Sequence, residues 1–313
     1  MTTHVGVIFP GQGSQSIGML GALSDQFPLV KQTYDEASEV LQIDLWALAS
    51  EGPAEMLNQT ENTQPAMLAA GIAAYRVWLS QGGPAGELMA GHSLGEYTAL
   101  TAAGSLDFID AIRLVAARGR FMQQAVPADR GAMAAILGLD DDAVKAVCSQ
   151  AAGDEIAEAV NFNSPGQVVI AGDKAAVERA MELAKKAGAR RALLLPVSVP
   201  SHSALMRPAA EQLSAMLETV EMQLPKIPVV HNVDVAIGDS IAAIREKLVQ
   251  QLYRPVRWVE TVQAMKNKGM EQLLEPGSGQ VLTGLGRRID KTMTFLPVFD
   301  PASLEKALES CNA

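Results

Sequence analysis

Short apolar runs alternate with longer amphipathic stretches along most of the chain. The run VGVIF at 5–9 is closed by a turn-forming Pro-Gly pair, which is typical of a buried strand that ends in a turn. Four further apolar runs predict short strands, at Leu88–Ala90, Pro228–Val230, Gln272–Leu274 and Thr294–Leu296. Apolar residues at helical spacing predict helices among these runs, at 27–41, 64–79, 107–125, 241–252 and 259–268. Because strands and helices alternate, the pattern favours an α/β protein with a mainly parallel sheet and helices on both faces.

The segment from 131 to 197 has a different order of elements. Its apolar pattern predicts, in chain order, strand 132–137, helix 141–151, strand 156–161, strand 167–171, helix 174–187 and strand 192–197. This β-α-β-β-α-β order is that of a ferredoxin-like unit. We therefore predict a ferredoxin-like α+β subdomain over 128–197, inserted into a larger α/β domain formed by 1–127 and 198–313.

Composition narrows the class of protein. The chain has 313 residues, of which 48% are hydrophobic and 19% charged, a balance typical of a globular protein with a sizeable core. The formal net charge of −10 disfavours nucleic acid as the main partner, and the longest apolar run, near 66–74, is too short to cross a bilayer. The sequence has two distant cysteines and no signal-peptide pattern at its start. It therefore predicts a cytoplasmic protein without a disulfide framework or a metal site.

The heptad Gly91-His92-Ser93-Leu94-Gly95-Glu96-Tyr97 is the most informative motif. Its Gly-x-Ser-x-Gly pattern follows an apolar run and precedes a small, apolar stretch suited to a buried helix. Strand, sharp turn and helix are the context of a nucleophile elbow, which holds its serine exposed at the helix N-terminus. We therefore predict Ser93 as a nucleophile.

A serine nucleophile needs a base within hydrogen-bonding distance, and the chain has four histidines. His4 is close to the terminus and is expected to be exposed. His92 precedes the serine on the strand, so its side chain should point away from it, whereas His231 at a strand end could be structural or functional. His202 follows the last strand of the subdomain among small residues, where a parallel sheet would place a base. The alternative for His202 is a polar histidine with a purely structural partner.

Two further features could belong to the same site. Arg118 lies among apolar residues of a predicted helix, where its guanidinium could bind a substrate carboxylate or instead pair with an acidic side chain on the helix surface. The glycine-rich loop 11–15 lacks the residues that nucleotide-binding loops require. A backbone N–H of this loop could instead form an oxyanion hole together with the N–H of Leu94.

Taken together, these motifs resemble those of the malonyl-CoA:acyl carrier protein transacylases of bacterial type II fatty-acid synthesis, over the whole chain. The matching stretches are Phe9–Gln15, Gly91–Tyr97, Arg118-Gly119 with Met122-Gln123, Asn161–Gln167, Val199–His202, and Gln251–Tyr253 with Pro255-Val256 and Trp258. The resemblance implies a hydrolase-like three-layer α/β domain with a mainly parallel sheet and an inserted ferredoxin-like subdomain. It also implies an acyltransferase that moves a malonyl group from malonyl-CoA to the phosphopantetheine thiol of acyl carrier protein through a malonyl-serine intermediate, supplying the extender unit for fatty-acid elongation.

The resemblance implies a role for each residue of the site. Ser93 would be the nucleophile and His202 the general base and then acid. Gln251 would orient this histidine in place of the carboxylate of a triad. Gln12 and Leu94 would supply the N–H groups of the oxyanion hole.

The remaining implications concern the substrates. Arg118 would hold the malonyl carboxylate. The partners would be malonyl-CoA and phosphopantetheinylated acyl carrier protein, with no cofactor, no metal, no nucleic acid and no membrane. We expect a monomer.

Three other functions stay open at this point. A serine esterase or lipase would usually carry an acidic triad residue between its serine and histidine, and none stands out between Ser93 and His202. A non-catalytic scaffold that binds carrier protein is disfavoured by the complete set of Ser93, His202 and Arg118. A transacylase for methylmalonyl or another branched extender unit is the nearest alternative.

Overall fold

The chain folds around two β-sheets of different kinds, five parallel strands in one and four antiparallel strands in the other. The computed structural model describes residues 4–127, 129–197 and 199–312. Residues 128 and 198, where we predict the two domain boundaries, lie outside the described residues, so the division into domains stays a prediction. The strands are β1 (Val5–Phe9), β2 (Leu88–Gly91), β3 (Gly131–Leu137), β4 (Ala157–Ser164), β5 (Gln167–Asp173), β6 (Arg191–Leu194), β7 (Val229–Val230), β8 (Gln272–Pro276) and β9 (Thr294–Val298).

Helices occupy most of the intervening chain, together with a 3₁₀ turn at Ala204–Met206. They are α1 (Gly21–Gln26), α2 (Leu29–Leu41), α3 (Leu45–Ser50), α4 (Ala54–Leu57), α5 (Thr60–Ser80), α6 (Leu94–Ala102), α7 (Phe108–Gln124), α8 (Asp141–Ala152), α9 (Lys174–Lys186), α10 (Arg207–Leu217), α11 (Ile241–Gln251), α12 (Trp258–Asn267), α13 (Val281–Ile289) and α14 (Pro301–Asn312). The predicted helices do not include α1, α3 and α4, whose four to six residues are too short to show a helical period, nor do they include α10, α13 and α14. Among the described residues, no helix is both long and apolar enough to cross a membrane.

The parallel sheet has the strand order β7-β2-β1-β8-β9, with β1 at its centre. Every residue of β1 and β2 is buried, because helices cover both faces of a parallel sheet, and this explains the unbroken apolar runs in the sequence. Phe9 is opposite Gly91 at the carboxyl ends of β1 and β2. The loops that leave these two strands therefore emerge side by side at one edge of the sheet, where parallel α/β folds place their sites.

The alanine-rich helix α5 is largely buried and packs against α2 and α7. Small side chains allow this close packing: a Cβ added to Gly71 would lie 2.7 Å from Thr98 Cγ2 of α6. The predicted helix over 64–79 is found, but it begins four residues earlier, at Thr60. The first turn is polar in sequence, which is why apolar periodicity did not reach it.

The antiparallel sheet has the order β4-β5-β3-β6, with α8 and α9 packed on one face. This is the ferredoxin-like arrangement that the element order predicts, and the α/β fold class is confirmed. The predicted strands differ in extent, because β4 continues to Ser164 and β5 to Asp173, whereas β6 already ends at Leu194. Hydrogen bonds from Phe162 N to Val256 O (3.0 Å) and from Val256 N to Val160 O (2.8 Å) attach β4 to the chain that follows α11. The two sheets thus flank a common cavity.

Candidate active site

Ser93 stands on the turn between β2 and α6 with φ 51° and ψ −108°, a strained conformation for a residue other than glycine. The two flanking glycines are sterically required. A Cβ on Gly91 would lie 1.9 Å from the carbonyl carbon and oxygen of Gly95, and a Cβ on Gly95 would lie 2.0 Å from Phe9 O. The motif therefore folds into the strand–turn–helix geometry of a nucleophile elbow, with Ser93 at the N-terminus of α6.

His202 is buried and directed at this serine. Its Nε2 lies 2.8 Å from Ser93 Oγ, and its Nδ1 lies 2.6 Å from the backbone oxygen of Gln251. Because a carbonyl oxygen only accepts, the ring proton belongs on Nδ1, and the lone pair of Nε2 then faces the hydroxyl of Ser93. Burial, and next the positive charge of Arg118, lower the pKa of His202 to about 3. The imidazole is therefore neutral at pH 7 and able to accept a proton.

Arg118 is buried within α7, with 1% of its surface exposed, and its guanidinium also reaches the serine. Its Nη2 donates to Gln251 Oε1 at 2.9 Å and to Ser93 Oγ at 3.3 Å. The guanidinium carbon lies 5.2 Å from the centre of the Tyr97 ring, over its face. Of the two alternatives left by the sequence, pairing with an acidic residue on the helix surface is wrong, because the side chain points inward to the site.

Gln251 contacts the histidine through its main chain. Its carbonyl oxygen accepts from His202 Nδ1, whereas its side chain, at the end of α11, turns to Arg118 and to the elbow. Gln251 Nε2 donates to Ser93 O at 3.0 Å. Gln251 thus contacts the histidine at the position where a triad has a carboxylate, but the contacting group is a backbone carbonyl, which carries no charge.

The glycine-rich loop after β1 lies beside the elbow. A Cβ on Gly11 would be 2.4 Å from His92 O, so only glycine allows this close approach. The loop is fixed by hydrogen bonds from Gly13 N to Gln15 Oε1 (2.7 Å) and from Gln15 Nε2 to Asn58 Oδ1 (2.9 Å). Within residues 4–127, 129–197 and 199–312, the backbone N–H groups of Gln12 and Leu94 donate to no protein acceptor. Both residues line the cavity that contains Ser93.

This cavity has a volume of about 400 Å³ and lies where the two sheets face each other. The parallel-sheet side contributes polar groups, including Ser93, His202 and Arg118. The antiparallel-sheet side contributes Met133 of β3 and Asn161 of β4 together with the chain after β6, at Leu195–Val197. In the part of the chain that the structure describes, no group of three or more His, Cys, Asp or Glu side chains is placed to hold a metal ion.

The other histidines have partners away from Ser93 Oγ. His4 is exposed and lies 2.8 Å from the Glu87 carboxylate. His92 Nε2 lies 2.8 Å from Asn163 Oδ1 of β4, so its ring bridges the elbow to the antiparallel sheet. His231 is buried, with Nδ1 2.8 Å from Glu96 Oε1. His231 is therefore a buried partner of the Glu96 carboxylate, and this ring nitrogen faces Glu96 and not Ser93 Oγ.

Sequence reasoning missed two residues that hold the elbow from beneath. Asn232, directly after β7, accepts from Ser93 N at 2.8 Å and donates to Gly91 O at 2.7 Å. Glu96 accepts from Asn232 N and from Gln251 Nε2, both at 2.9 Å. The only sequence signal was a charged residue, Glu96, inside a stretch otherwise suited to a buried helix. Since Ser93 N is occupied by Asn232, the neighbouring N–H of Leu94 is the one left to face the cavity.

Comparison with known proteins agrees with this geometry. The family model described as "Acyl transferase domain" matches residues 7–276. The chain is 55% identical to the malonyl CoA-acyl carrier protein transacylase of Escherichia coli K12, over 98% of this chain and 99% of that protein. The Bacillus subtilis protein of the same name is 44% identical, over 98% and 97%.

Solved structures agree as well. A malonyl-transacylase in complex with a type II PKS acyl-carrier protein has a TM-score of 0.97 and 57% identity, covering 98% of this chain and 100% of that one. The chain belongs to the malonyl CoA-acyl carrier protein transacylases. An acyl carrier protein S-malonyltransferase from Vibrio cholerae, another structure of this family, has a TM-score of 0.94 and 56% identity over 97% of this chain and 99% of its own. The family fold thus includes both sheets and every element that lines the cavity.

Proposed function

We propose that this acyltransferase moves a malonyl group from malonyl-CoA to the phosphopantetheine thiol of acyl carrier protein, through an ester on Ser93. The observation that carries the proposal is the meeting of two groups at one oxygen atom. Ser93 Oγ has the neutral imidazole of His202 at 2.8 Å and the Arg118 guanidinium at 3.3 Å. A base on one side and a cation on the other suit the transfer of an acyl group that carries a carboxylate.

In the first half of the reaction, Ser93 Oγ attacks the thioester carbonyl of malonyl-CoA. The hydroxyl proton passes to Nε2 of His202, and the imidazolium keeps its other proton on Nδ1, which donates a hydrogen bond to the Gln251 carbonyl. When the tetrahedral intermediate breaks down, the C–S bond is lost and the proton on Nε2 goes to the sulfur of CoA. Malonyl-Ser93 and neutral His202 remain.

The oxyanion that forms during this attack would be bound by the N–H groups of Gln12 and Leu94. Both residues line the cavity at the serine, and Leu94 N is also the first N–H of α6. Donors at a helix N-terminus favour negative charge, and a donor that the folded protein already holds in place costs no reorganisation during the reaction.

Arg118 would select the malonyl group. In malonyl-Ser93 the free carboxylate is one methylene away from the ester carbonyl. The guanidinium of Arg118 is close enough to reach it, because its Nη2 lies 3.3 Å from Ser93 Oγ. Burial makes such a pair strong, because water competes poorly with the carboxylate there. An acetyl group has no carboxylate and would leave the buried guanidinium unpaired, which disfavours acetyl-CoA.

The second half reverses the first with a different thiol. The phosphopantetheine thiol of the carrier gives its proton to His202 and attacks the malonyl ester, the C–Oγ bond breaks, and the proton returns to Ser93 Oγ. The chemistry as proposed uses no cofactor. The malonyl product would serve as an extender unit in chain elongation.

Replacing Ser93 with alanine tests this proposal. Malonyl transfer from malonyl-CoA to phosphopantetheinylated carrier protein should fall by about 10⁴-fold or more, since both half-reactions need the ester. Ser50→Ala is a matched control, because Ser50 lies on α3 and its Oγ donates only to Trp46 O at 2.8 Å. Transfer that survives in the Ser93 variant at more than a few per cent of the control would contradict the serine ester.

The location and the assembly state of the enzyme stay predictions. We propose that it works in the cytoplasm and as a monomer, as expected from the sequence. Sedimentation of the purified protein over a range of concentrations tests the second statement, and a dimer at micromolar concentration would overturn it.

A further inference from the structure

Glu96 is a fully buried carboxylate beneath the nucleophile elbow, three residues after Ser93 on α6. Removing an ionised carboxylate from water costs several kcal/mol unless other groups compensate. Three donors do so here: His231 Nδ1 at 2.8 Å, Asn232 N at 2.9 Å and Gln251 Nε2 at 2.9 Å. None of these contacts is part of the reaction steps described above, so the charge needs another explanation.

The contact with Gln251 determines which way the Gln251 amide faces. Around its Nε2 lie only acceptors: Glu96 Oε2 at 2.9 Å, Ser93 O at 3.0 Å and Asn232 Oδ1 at 3.4 Å. The nitrogen must therefore occupy this side, and Oε1 is turned to Arg118, whose Nη2 donates to it at 2.9 Å. The Gln251 side chain thus connects the Glu96 carboxylate to the Arg118 guanidinium.

Arg118 needs such support because it is buried as well. Burial lowers the pKa of its guanidinium, and the nearby Tyr97 and the negative charge of Glu96 oppose this shift. Its Nε has no hydrogen-bond partner within the described residues, so the contact through Nη2 and the face of the Tyr97 ring are what hold the plane of the fork. The Glu96 carboxylate is therefore both a buried counter-charge of Arg118 and the anchor of the Gln251 amide, whose oxygen accepts from Arg118.

We propose that Glu96 is a positioning residue that, through the side chain of Gln251, holds the Arg118 guanidinium in the orientation that binds the malonyl carboxylate. The inference rests on the role proposed above for Arg118. The competing explanation is that Glu96 only connects α6 to the chain after β7 through its hydrogen bonds with His231 and Asn232. Such a connection would position Ser93 for any acyl group, so its loss would slow malonyl and acetyl transfer equally.

The test compares malonyl-CoA with acetyl-CoA as donors for the same carrier protein. In Glu96→Gln, which keeps the shape and removes the charge, kcat/KM for malonyl-CoA should fall about 10-fold or more, with a raised KM. The value for acetyl-CoA should change less than about 3-fold. Glu275→Gln is the matched control: Glu275 is another buried carboxylate, and it accepts from Leu282 N (2.8 Å) and Thr283 N (2.6 Å) at the start of α13. This control should keep the malonyl-to-acetyl ratio of the parent enzyme even where its melting temperature falls.

A second variant covers the case in which Glu96→Gln fails to fold. Gln251→Met keeps the backbone carbonyl that orients His202 and removes the amide between Glu96 and Arg118, so it should lower the malonyl-to-acetyl ratio by a similar factor. If both fold, the double variant should lose little more than either alone, because both break one chain of contacts. Additive losses, or equal losses for malonyl-CoA and acetyl-CoA, would overturn the inference.

Arg118→Ala is measured in the same series to separate this inference from the proposed function. If Arg118→Ala leaves the malonyl-to-acetyl ratio unchanged, the proposed role of Arg118 is wrong and the inference fails with it. If the ratio collapses in Arg118→Ala but holds in Glu96→Gln and Gln251→Met, the role of Arg118 stands and the inference alone is wrong.

Discussion

The two sheets line one cavity but contribute different kinds of residue. From the parallel sheet come Ser93 after β2, the Gln12 loop after β1 and the Asn232 anchor after β7. Ser93 has a strained backbone, and the Asn232 side chain makes a buried hydrogen bond to Gly91 O. The antiparallel sheet and the chain after it supply Met133, Asn161 and residues 195–197, none of which is titratable.

This difference indicates that the reactive groups lie on the parallel-sheet side of the cavity. Carboxyl ends of parallel strands bring loops from distant parts of the sequence to one edge, so a reactive group and its partners can be assembled there. The antiparallel sheet lines the cavity from the other side. We therefore expect large effects on rate from changes on the parallel side, and smaller effects, mainly on KM, from changes on the antiparallel side.

The largest effect after loss of the nucleophile should come from Arg118→Ala. Losing a charge-assisted contact with the malonyl carboxylate removes about 3 kcal/mol, so kcat/KM for malonyl-CoA should fall roughly 100-fold. Acetyl transfer should survive or rise, since no carboxylate is involved. The measurement is steady-state transfer to carrier protein with each donor, and Arg113→Ala, an exposed arginine on the same helix paired with Asp110, is the control.

On the parallel-sheet side, we assign the chemistry to Ser93 and His202 and the contact with the malonyl carboxylate to Arg118. A similar loss of transfer from both donors would contradict this division of roles. Arg118 would then be required for the position of Ser93 or the state of His202, and selection of malonyl would have to be sought elsewhere in the cavity.

The pH dependence of the rate tests the protonation state of the base on the parallel-sheet side. Because the pKa of His202 is lowered to about 3, its imidazole stays neutral at pH values where an ordinary histidine is protonated. It gains a proton, and ceases to act as a base, only as the pH falls toward 3. The kcat/KM for malonyl-CoA should therefore stay nearly constant from pH 7.5 to 5.0. A base that titrated at about 6.5 would lose roughly 30-fold over the same interval.

Two observations sharpen this pH test. In Arg118→Ala, measured with acetyl-CoA, kcat/KM should begin to fall at a higher pH on the acid side of its pH profile. The reason is that a positive charge that disfavours the imidazolium form of His202 has been removed. Protein stability is followed in parallel, since an unfolded histidine binds a proton below about 6.5 and the buried one does not, so unfolding becomes easier toward acid pH. An acid limb near pH 6.5 in the parent enzyme, with folded protein throughout, would contradict the buried neutral base.

The smallest effect should come from the antiparallel wall. Met133 is buried on β3 and lines the cavity. Met133→Ala should raise KM for both donors by about 2- to 5-fold and leave the malonyl-to-acetyl ratio unchanged, because only apolar contact area is lost. A selective loss of malonyl transfer would show that this wall takes part in recognising the acyl group.

Sequence patterns predicted the local parts of this arrangement well. The elbow at Ser93 is encoded by glycines two residues to either side, and the β-α-β-β-α-β order is readable from apolar runs alone. The inward direction of Arg118 was not predictable from periodicity, which fitted a surface ion pair equally well. The Glu96, Asn232 and Gln251 contacts join residues 136 to 155 positions apart, and no local pattern records such contacts. Contacts made by the main chain are the hardest to predict from sequence. Gln251 contacts His202 through its backbone carbonyl, which every residue has, so the identity of the side chain does not indicate this contact.

The most direct test of the central claim weighs the enzyme during turnover. The protein is mixed briefly with equal amounts of malonyl-CoA and acetyl-CoA, its intact mass is measured, and the modified peptide is sequenced before and after addition of phosphopantetheinylated carrier protein. We predict one malonyl group on Ser93, little acetyl, and complete loss of the adduct as the carrier becomes malonylated. An unmodified Ser93 under turnover, or a malonyl group that stays on the enzyme when the carrier is added, would contradict it.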